Sequence, residues 1–471
     1  MASSVSLSGG VSYSTLTIPI TSSNNAAVAQ TALNSIASAV ANGELAQVTL
    51  VPDGSSPELT RAPAVTEPSV LVVDNAIPLA TQQLGNGYQA AVLAGSASQG
   101  IITGPQPNET VVAGAAGAMV GNFARGTQVV FGGGNNGFIS FDGAANDPSA
   151  SVWLDGNGAF DLSVGETTIF AGTGANLIVA DYGSVAANVV NLEENHPAAT
   201  ANLLELSGTG AAAATVNAIG AGLAVLQDGG AALINANASN VTVYGAPGPG
   251  WNGGGSVTLY GGSGTDVVSD GTGYFQAGSA GGSLLIGSTL PGAATLVGGG
   301  GGDTVMGLGS GDVLMAGAGN ETLSGFAAPV VAVGYTGSQA DGLITQMTGG
   351  ASGGNAFAIG NGVTQVTGNH GSAGGNVYAE LTGGPNSNVA FITDFVSAVD
   401  PAGNPQANAD LIALMRPGGG RYQFEQGSAP GPGQVTYNYA EVGGTLSSKV
   451  EFGDGATWTL VGSIVHPQDF G

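Results

Sequence analysis

Cysteine is absent from this chain, lysine occurs once (Lys449), and arginine four times (Arg61, Arg125, Arg416 and Arg421). Without cysteine there is no disulfide and no thiol chemistry, an absence that suits a secreted bacterial chain as well as a cytosolic one. Thirty-one acidic residues against five basic ones leave a net charge of −26. That excludes a nucleic-acid partner, because phosphate contacts need clustered lysine and arginine. So one-signed a chain repels itself unless cations neutralise some of its carboxylates. No apolar run reaches the ~18 residues of a membrane-spanning helix. The opening MASSVSLSGGVSYSTLTIPI has neither the basic start nor the long apolar stretch of a Sec signal peptide. Charged residues make up only 8% and hydrophobic ones 43%, the reverse of a disordered composition.

What the chain has in excess is glycine, 85 of 471 residues, without the three-residue period of collagen. At residues 298–324 it reads GGGGGDTVM, GLGSGDVLM, AGAGNETLS, three nine-residue units in one register, and GGSGTDVVS stands upstream at 261–269. The template is G-G-x-G-x-D-x-U-x. Its glycines permit a tight turn, its sixth position carries an acid, and its eighth directs an apolar residue inward. A weaker series shares the spacing. Gly156, Gly165, Gly174 and Gly183 are nine apart, and Phe160, Ile169, Ile178 and Ala187 follow each by four, but Gly158, Thr167 and Asn176 stand where the acid belongs. The same solenoid geometry is expected there, held by stacked apolar residues alone.

These patterns predict an all-β, glycine-rich parallel β-solenoid or β-roll with a short N-terminal helical arm and a C-terminal β cap. Residues 1–65 form the arm. AAVAQTALNSIASAVANG places Ala29, Leu33, Ile36 and Val40 on one helical face before Gly43 ends it, and the proline-bearing SSPELTRAPAVTEP (55–68) reads as a linker. Residues 66–255 are expected to be an irregular, metal-poor solenoid and 256–388 the acidic β-roll with its continuation. Residues 389–471 form the cap, with a hairpin-type turn at Gly453-Asp454-Gly455.

At 261–269 and 298–324 the chain resembles the RTX (hemolysin-type) calcium-binding repeat proteins. The tail adds to the likeness: Phe391-Ile392-Thr393-Asp394-Phe395 followed by Asp410-Leu411-Ile412-Ala413-Leu414 is similar to the segment that often follows RTX arrays. The ending VEFGDGATWTLVGSIVHPQDFG is similar to the export region of proteins secreted by type I machinery. The resemblance implies an extracellular or cell-surface location. It also implies that Asp266, Asp303, Asp312 and Glu321 ligate Ca²⁺ with turn carbonyls around Gly261, Gly298 and Gly300, hard oxygens suiting that ion. Two departures weaken the array. Phe275 and Leu284 fall where the acid is expected, and Glu replaces Asp at 321.

Catalytic groups are few. The three histidines, His196, His370 and His466, show no H-x-x-x-H spacing, which excludes a zinc-protease site of that type. His196, between Glu193-Glu194-Asn195 and a proline, reads as a solvated loop residue. Gly350-Ala351-Ser352-Gly353-Gly354 matches G-x-S-x-G without the strand–elbow–helix context that gives the motif meaning. Arg125 is the only basic residue between 62 and 415, too little for an enzyme acting on anionic sugars. The expected function is therefore non-enzymatic: a calcium-ordered extracellular structural protein, self-assembling as a surface-layer, filament or biofilm-matrix subunit, with its own copies as partner. The alternatives are a monomeric adhesin that binds a surface polysaccharide and, behind it, a β-helix enzyme acting on polysaccharide, since two carboxylates suffice for a glycosidase.

Overall fold

A computed structural model describes the helix and strands within residues 1–239 and, with short gaps, residues 240–471. The chain is a parallel β-solenoid. It divides into two compact units, residues 1–239 with 250–255, and residues 240–249 with 256–471.

In the first unit the helix Ala26–Ala41 carries Ala29, Leu33 and Ile36 fully inward, with Val40 half-buried. Gly43, at φ +75°, ends it in the left-handed conformation that glycine adopts without steric cost. The strand Ala46–Leu50 follows and pairs in parallel with Ser69–Val73, which pairs with Tyr88–Leu93, then Thr110–Ala113 and Gln128–Phe131. A second parallel ladder alternates with this first one along the chain, from Gln82–Gln83 and Gln99–Ile102 onward. All five residues of Ser69–Val73 are buried. Leu71 and Val73 face the solenoid interior, while Val70 and Val72 lie under the helix together with Ala90, Val92, Val112 and Val130. A strand covered on both faces needs an unbroken apolar run, which SVLVV supplies.

The nine-residue spacing has a simple cause: it is half a coil. Phe160 pairs with Ile178, 18 residues on, in the second ladder, while Ile169 lies in the first ladder between Val152 and Val190. Each unit makes one turn and one strand, so two units return the chain to the same ladder. The glycines at 156, 165, 174 and 183, together with Ala187, lie outside the described residues, as do the side chains of Phe160, Ile169 and Ile178.

In the second unit the same rule yields two apolar columns. Leu259, Phe275, Leu296, Leu314, Ala332, Phe357, Tyr378 and Ile412 stack in register along the first ladder. Val243, Val268, Leu285, Val305, Leu323, Met347, Val366 and Ile392 stack along the second. The residues at the eighth template position, Val268, Val305, Leu314 and Leu323, are all completely buried. Each such side chain contributes about 1.5–3 kcal/mol of burial. The end of this unit is antiparallel: Gln434–Val442 pairs with Thr445–Phe452, which pairs with Thr457–Leu460. Thr457–Leu460 then joins Asn388–Ile392 in parallel, so Leu460 extends the apolar column beyond Ile392. Gly453-Asp454-Gly455 forms the expected turn, with Phe452 N–H donating to Ala456 O at 2.9 Å and Gly455 at φ +106°.

The ladders run past two of the compositional boundaries. The solenoid begins at Ala46, inside the segment that composition set apart as a 1–65 arm, and the helix of that arm packs on its own unit. The compact division interleaves at 239/240, 249/250 and 255/256, the last coinciding with the compositional boundary. Asn388–Ile392 and Leu411–Ala413 still belong to the parallel ladders, so the antiparallel cap starts after them. Ladder hydrogen bonds use backbone groups, which every residue except proline supplies in full, so a change in composition need not mark the end of a ladder. The linker reading of 55–68 rests largely on residues outside the described ones.

Candidate functional site

Two residues before each apolar column lies a second buried column at the point where the chain turns into the strand. In the second ladder it contains Asp266, Ser283, Asp303, Glu321, Thr345 and Thr364, and in the first Asp312, Asn355, Asn376 and Asp410. The four acids expected to ligate calcium, Asp266, Asp303, Asp312 and Glu321, are all here, and none is more than 1% exposed.

Their oxygens follow one rule: the side chain of one coil accepts the backbone N–H of the same column one coil earlier. Val241 N–H donates to Asp266 Oδ1 (3.1 Å), Asp266 N–H to Ser283 Oγ (3.0 Å), and Ser283 N–H to Asp303 Oδ1 (2.7 Å). In the other ladder Ala294 N–H donates to Asp312 Oδ1 (2.8 Å) and Val330 N–H to Asn355 Oδ1 (3.1 Å). Asn355 N–H donates to Asn376 Oδ1 (3.0 Å) and Asn376 N–H to Asp410 Oδ1 (2.6 Å). The second carboxylate oxygens take turn amides: Gly278 N–H on Asp266 (2.8 Å), Gly299 N–H on Asp303 (2.7 Å), Gly309 N–H on Asp312 (3.0 Å). At the corner before a strand the ladder has not begun, and a buried N–H there would be orphaned. A short side chain turned inward satisfies it. Bonds from N–H to a carboxylate are stronger than neutral ones.

Thr345 and Thr364, whose buried hydroxyls have no hydrogen-bond partner, break the rule, and so does Glu321. Its extra methylene carries the carboxylate past the column, and neither oxygen has a hydrogen-bond partner. Burial and the neighbouring Asp303 push its pKa up to about 9. Asp266 is pushed up to about 6 by burial, against the opposing pull of the Gly278 and Val241 amides, and burial raises Asp312 and Asp410 as well.

This donor set does not fit a calcium ion. Both oxygens of Asp266, Asp303 and Asp312 accept N–H groups, whose donors stand where a cation would have to sit. Among the described residues no three His, Asp or Glu side chains gather into a group able to hold a metal. Gly261, Gly298 and Gly300 serve for close approach instead. A Cβ at Gly261 would strike Asp266 Oδ2 and Gly278 N, one at Gly298 would strike Glu321 Oε2, and one at Gly300 would strike Ser279 O.

Sequence reasoning passed over His370. Its Nε2 lies 2.9 and 3.0 Å from the two oxygens of Asp410, and its Nδ1 lies 3.7 Å from Asp394 Oδ2. The two carboxylates meet opposite ring nitrogens and so cannot close on one ion. Asp394 also accepts Gly368 N–H (2.6 Å) and Asn369 N–H (2.8 Å). Both acids of the RTX-like tail segment are therefore backbone staples. For Asp410, two residues before the inward Ile412, the signal that would have found it is the template's sixth position, read as a hydrogen-bond acceptor. Ser352 sits in a turn beside Gly353 and Gly354, both at positive φ, and its Oγ reaches only Gly353 O at 3.5 Å. His196 and Arg125 lie outside the described residues. A cleft of about 220 Å³ beside His466 is walled by Phe395, Ser397 and Ser463. Both its serine hydroxyls are engaged, with Asp469 (2.7 Å) and Phe395 O (2.7 Å).

Among the described residues no helix is long and apolar enough to cross a membrane. No family model, no curated protein and no solved structure matches this chain.

Proposed function

We propose that this protein is a non-enzymatic extracellular structural protein, a self-assembling subunit of a surface layer, filament or matrix. The observation that supports it is the use made of the polar groups. In a chain so poor in charge, the buried acids and amides of the second unit tie each coil to the one before it. Coils cross-tied in this way hold one another in register within the second unit. Calcium ordering, which the RTX resemblance implies, is left out of the proposal because the acids face amide donors. Negative-stain imaging and light scattering of the purified full chain over a wide concentration range test the reading. Ordered homopolymers are expected with or without calcium. Monomers at every concentration, combined with binding or cleavage of a polysaccharide, overturn it.

One observation favours the adhesin alternative. The outer face of the second ladder in the second unit bears neutral polar columns, Thr304, Thr322, Gln346 and Gln365 beside Ser324, Thr348, Thr367 and Thr393. Hydroxyls and amides repeating at the ~4.8 Å strand spacing offer hydrogen bonds to a flat, uncharged polysaccharide. Pull-down with insoluble glycans, and loss of binding in Thr348→Val/Thr367→Val, separates this role from assembly.

A further inference from the structure

The outer face of the first ladder in the second unit differs from that of the second. Its eight rungs, from Val257–Tyr260 to Leu411–Ala413, each present two outward positions. From Val297 onward all of them are apolar, among them Val313, Met315, Val331, Val333, Val377 and Leu411, and no outward position on any rung is charged. Val331 and Val377 are each 37% exposed. Contiguous bare apolar surface of this kind marks an interaction site.

We infer that two copies of this chain pack face to face through this surface, a proposal that rests on the self-assembly reading and assigns its contact. Three observations select a second copy as occupant. First, the chain carries a net charge of −26, so like-charged copies can approach closely only through a neutral face. A basic partner would gain nothing by choosing that face. Second, the surface repeats small and β-branched side chains at the rung spacing, so it can meet its own copy under the two-fold symmetry of an isologous dimer. Facing sheets of this type interdigitate at about 10 Å. Eight rungs at ~4.8 Å span about 34 Å, and with two outward positions each they offer 16 residues a side, a small contact beside the roughly 20 of a standard interface. Third, the first unit covers a face of the same composition. Val70, Val72, Ala90, Val92, Val112 and Val130 lie under the helix Ala26–Ala41. That helix is occupied by its own unit and is not available to the bare face.

Sedimentation velocity on the full chain over a wide concentration range, with circular dichroism as a check on folding, tests the inference. The wild type is expected to form dimers or larger species. Val331→Lys/Val377→Lys, at positions already exposed, should bury unpaired charge in the contact and weaken association at least about 100-fold. Gln365→Lys, on the other ladder's outer face, should leave association unchanged. If the lysine variant loses β signal, Val331→Thr/Val377→Thr carries the test and should weaken association measurably. A wild type that assembles while these variants assemble equally well overturns the face assignment and leaves the assembly reading standing. Wild-type monomers at every concentration overturn both. Association abolished by Thr31→Lys/Ser38→Lys, at exposed positions of the helix, but untouched by the face variants assigns the contact to the helix and likewise overturns the inference.

Discussion

Glu321 occupies a column in which every other acid satisfies an amide, and it satisfies none. Shortening it is therefore expected to stabilise the protein. Glu321→Asp should let the carboxylate take up the Asp303-type bonds and raise stability by about 1–2 kcal/mol, read as a higher melting temperature. Asp312 gives the opposite case. Asp312→Ala orphans the Ala294 and Gly309 amides and should cost about 2–4 kcal/mol, whereas Asp312→Asn, which reproduces the Asn355 arrangement, should cost much less. A metal ligand would not tolerate that change so well. The raised pKa values also set a pH dependence. Asp266 (about 6) and Glu321 (about 9) hold their protons more tightly folded than unfolded. Their stabilising contribution is complete below the ordinary carboxylate range and is lost as pH rises, through 6 for Asp266 and on to 9 for Glu321. The slope is up to about 1.4 kcal/mol per pH unit for each group. Melting temperature should fall steadily from pH 5 to pH 9, and Glu321→Gln should flatten the upper part of that decline. A plateau from pH 6 upward in the wild type would contradict the assignment.

At the scale of elements, the helix and the turns carry different loads. The helix is a lid on the first unit, and its Leu33 is fully buried against the ladder. Leu33→Ala should cost about 2–5 kcal/mol, borne by the first unit and visible as earlier amide exchange in Ser69–Val73 and Tyr88–Leu93. Glycine in the turns is fixed by packing as much as by dihedral angle. A Cβ at Gly350 would run into the carbonyl of Ala328 in the preceding coil, so Gly350→Ala should destabilise the second unit although it replaces one small residue by another. Gly311, which has open space around it but sits at φ +89°, should show the smaller cost of backbone strain alone.

For the whole molecule the decisive balance is between 31 acids and the means of tolerating them. Several are neutralised in effect by amide donors and by raised pKa values, which needs no cation. Calcium or EGTA should accordingly leave the circular dichroism spectrum and melting temperature unchanged, while monovalent salt should raise both stability and association by screening self-repulsion. A large calcium-specific gain in β signal would show that the acids leave their amides for an ion.

The periodic part of this fold was legible in the amino-acid order. The eighth template position points inward at Val268, Val305, Leu314 and Leu323 because a strand alternates its faces and a glycine turn resets the register every nine residues. The helix followed from Ala29, Leu33 and Ile36 at helical spacing, with Gly43 as its stop. What the sequence left open is where a side chain's oxygens go. An acid after a glycine turn reads equally as a cation ligand and as an amide acceptor, and only the stacking of one coil on the next brings the Val241, Ser283 and Ala294 amides against Asp266, Asp303 and Asp312. His370, 40 residues from Asp410 in the chain, was invisible for the same reason. Period is a property of neighbours along the chain, whereas partnership in a solenoid is set between coils about 17 to 25 residues apart, and tertiary stacking alone decides it.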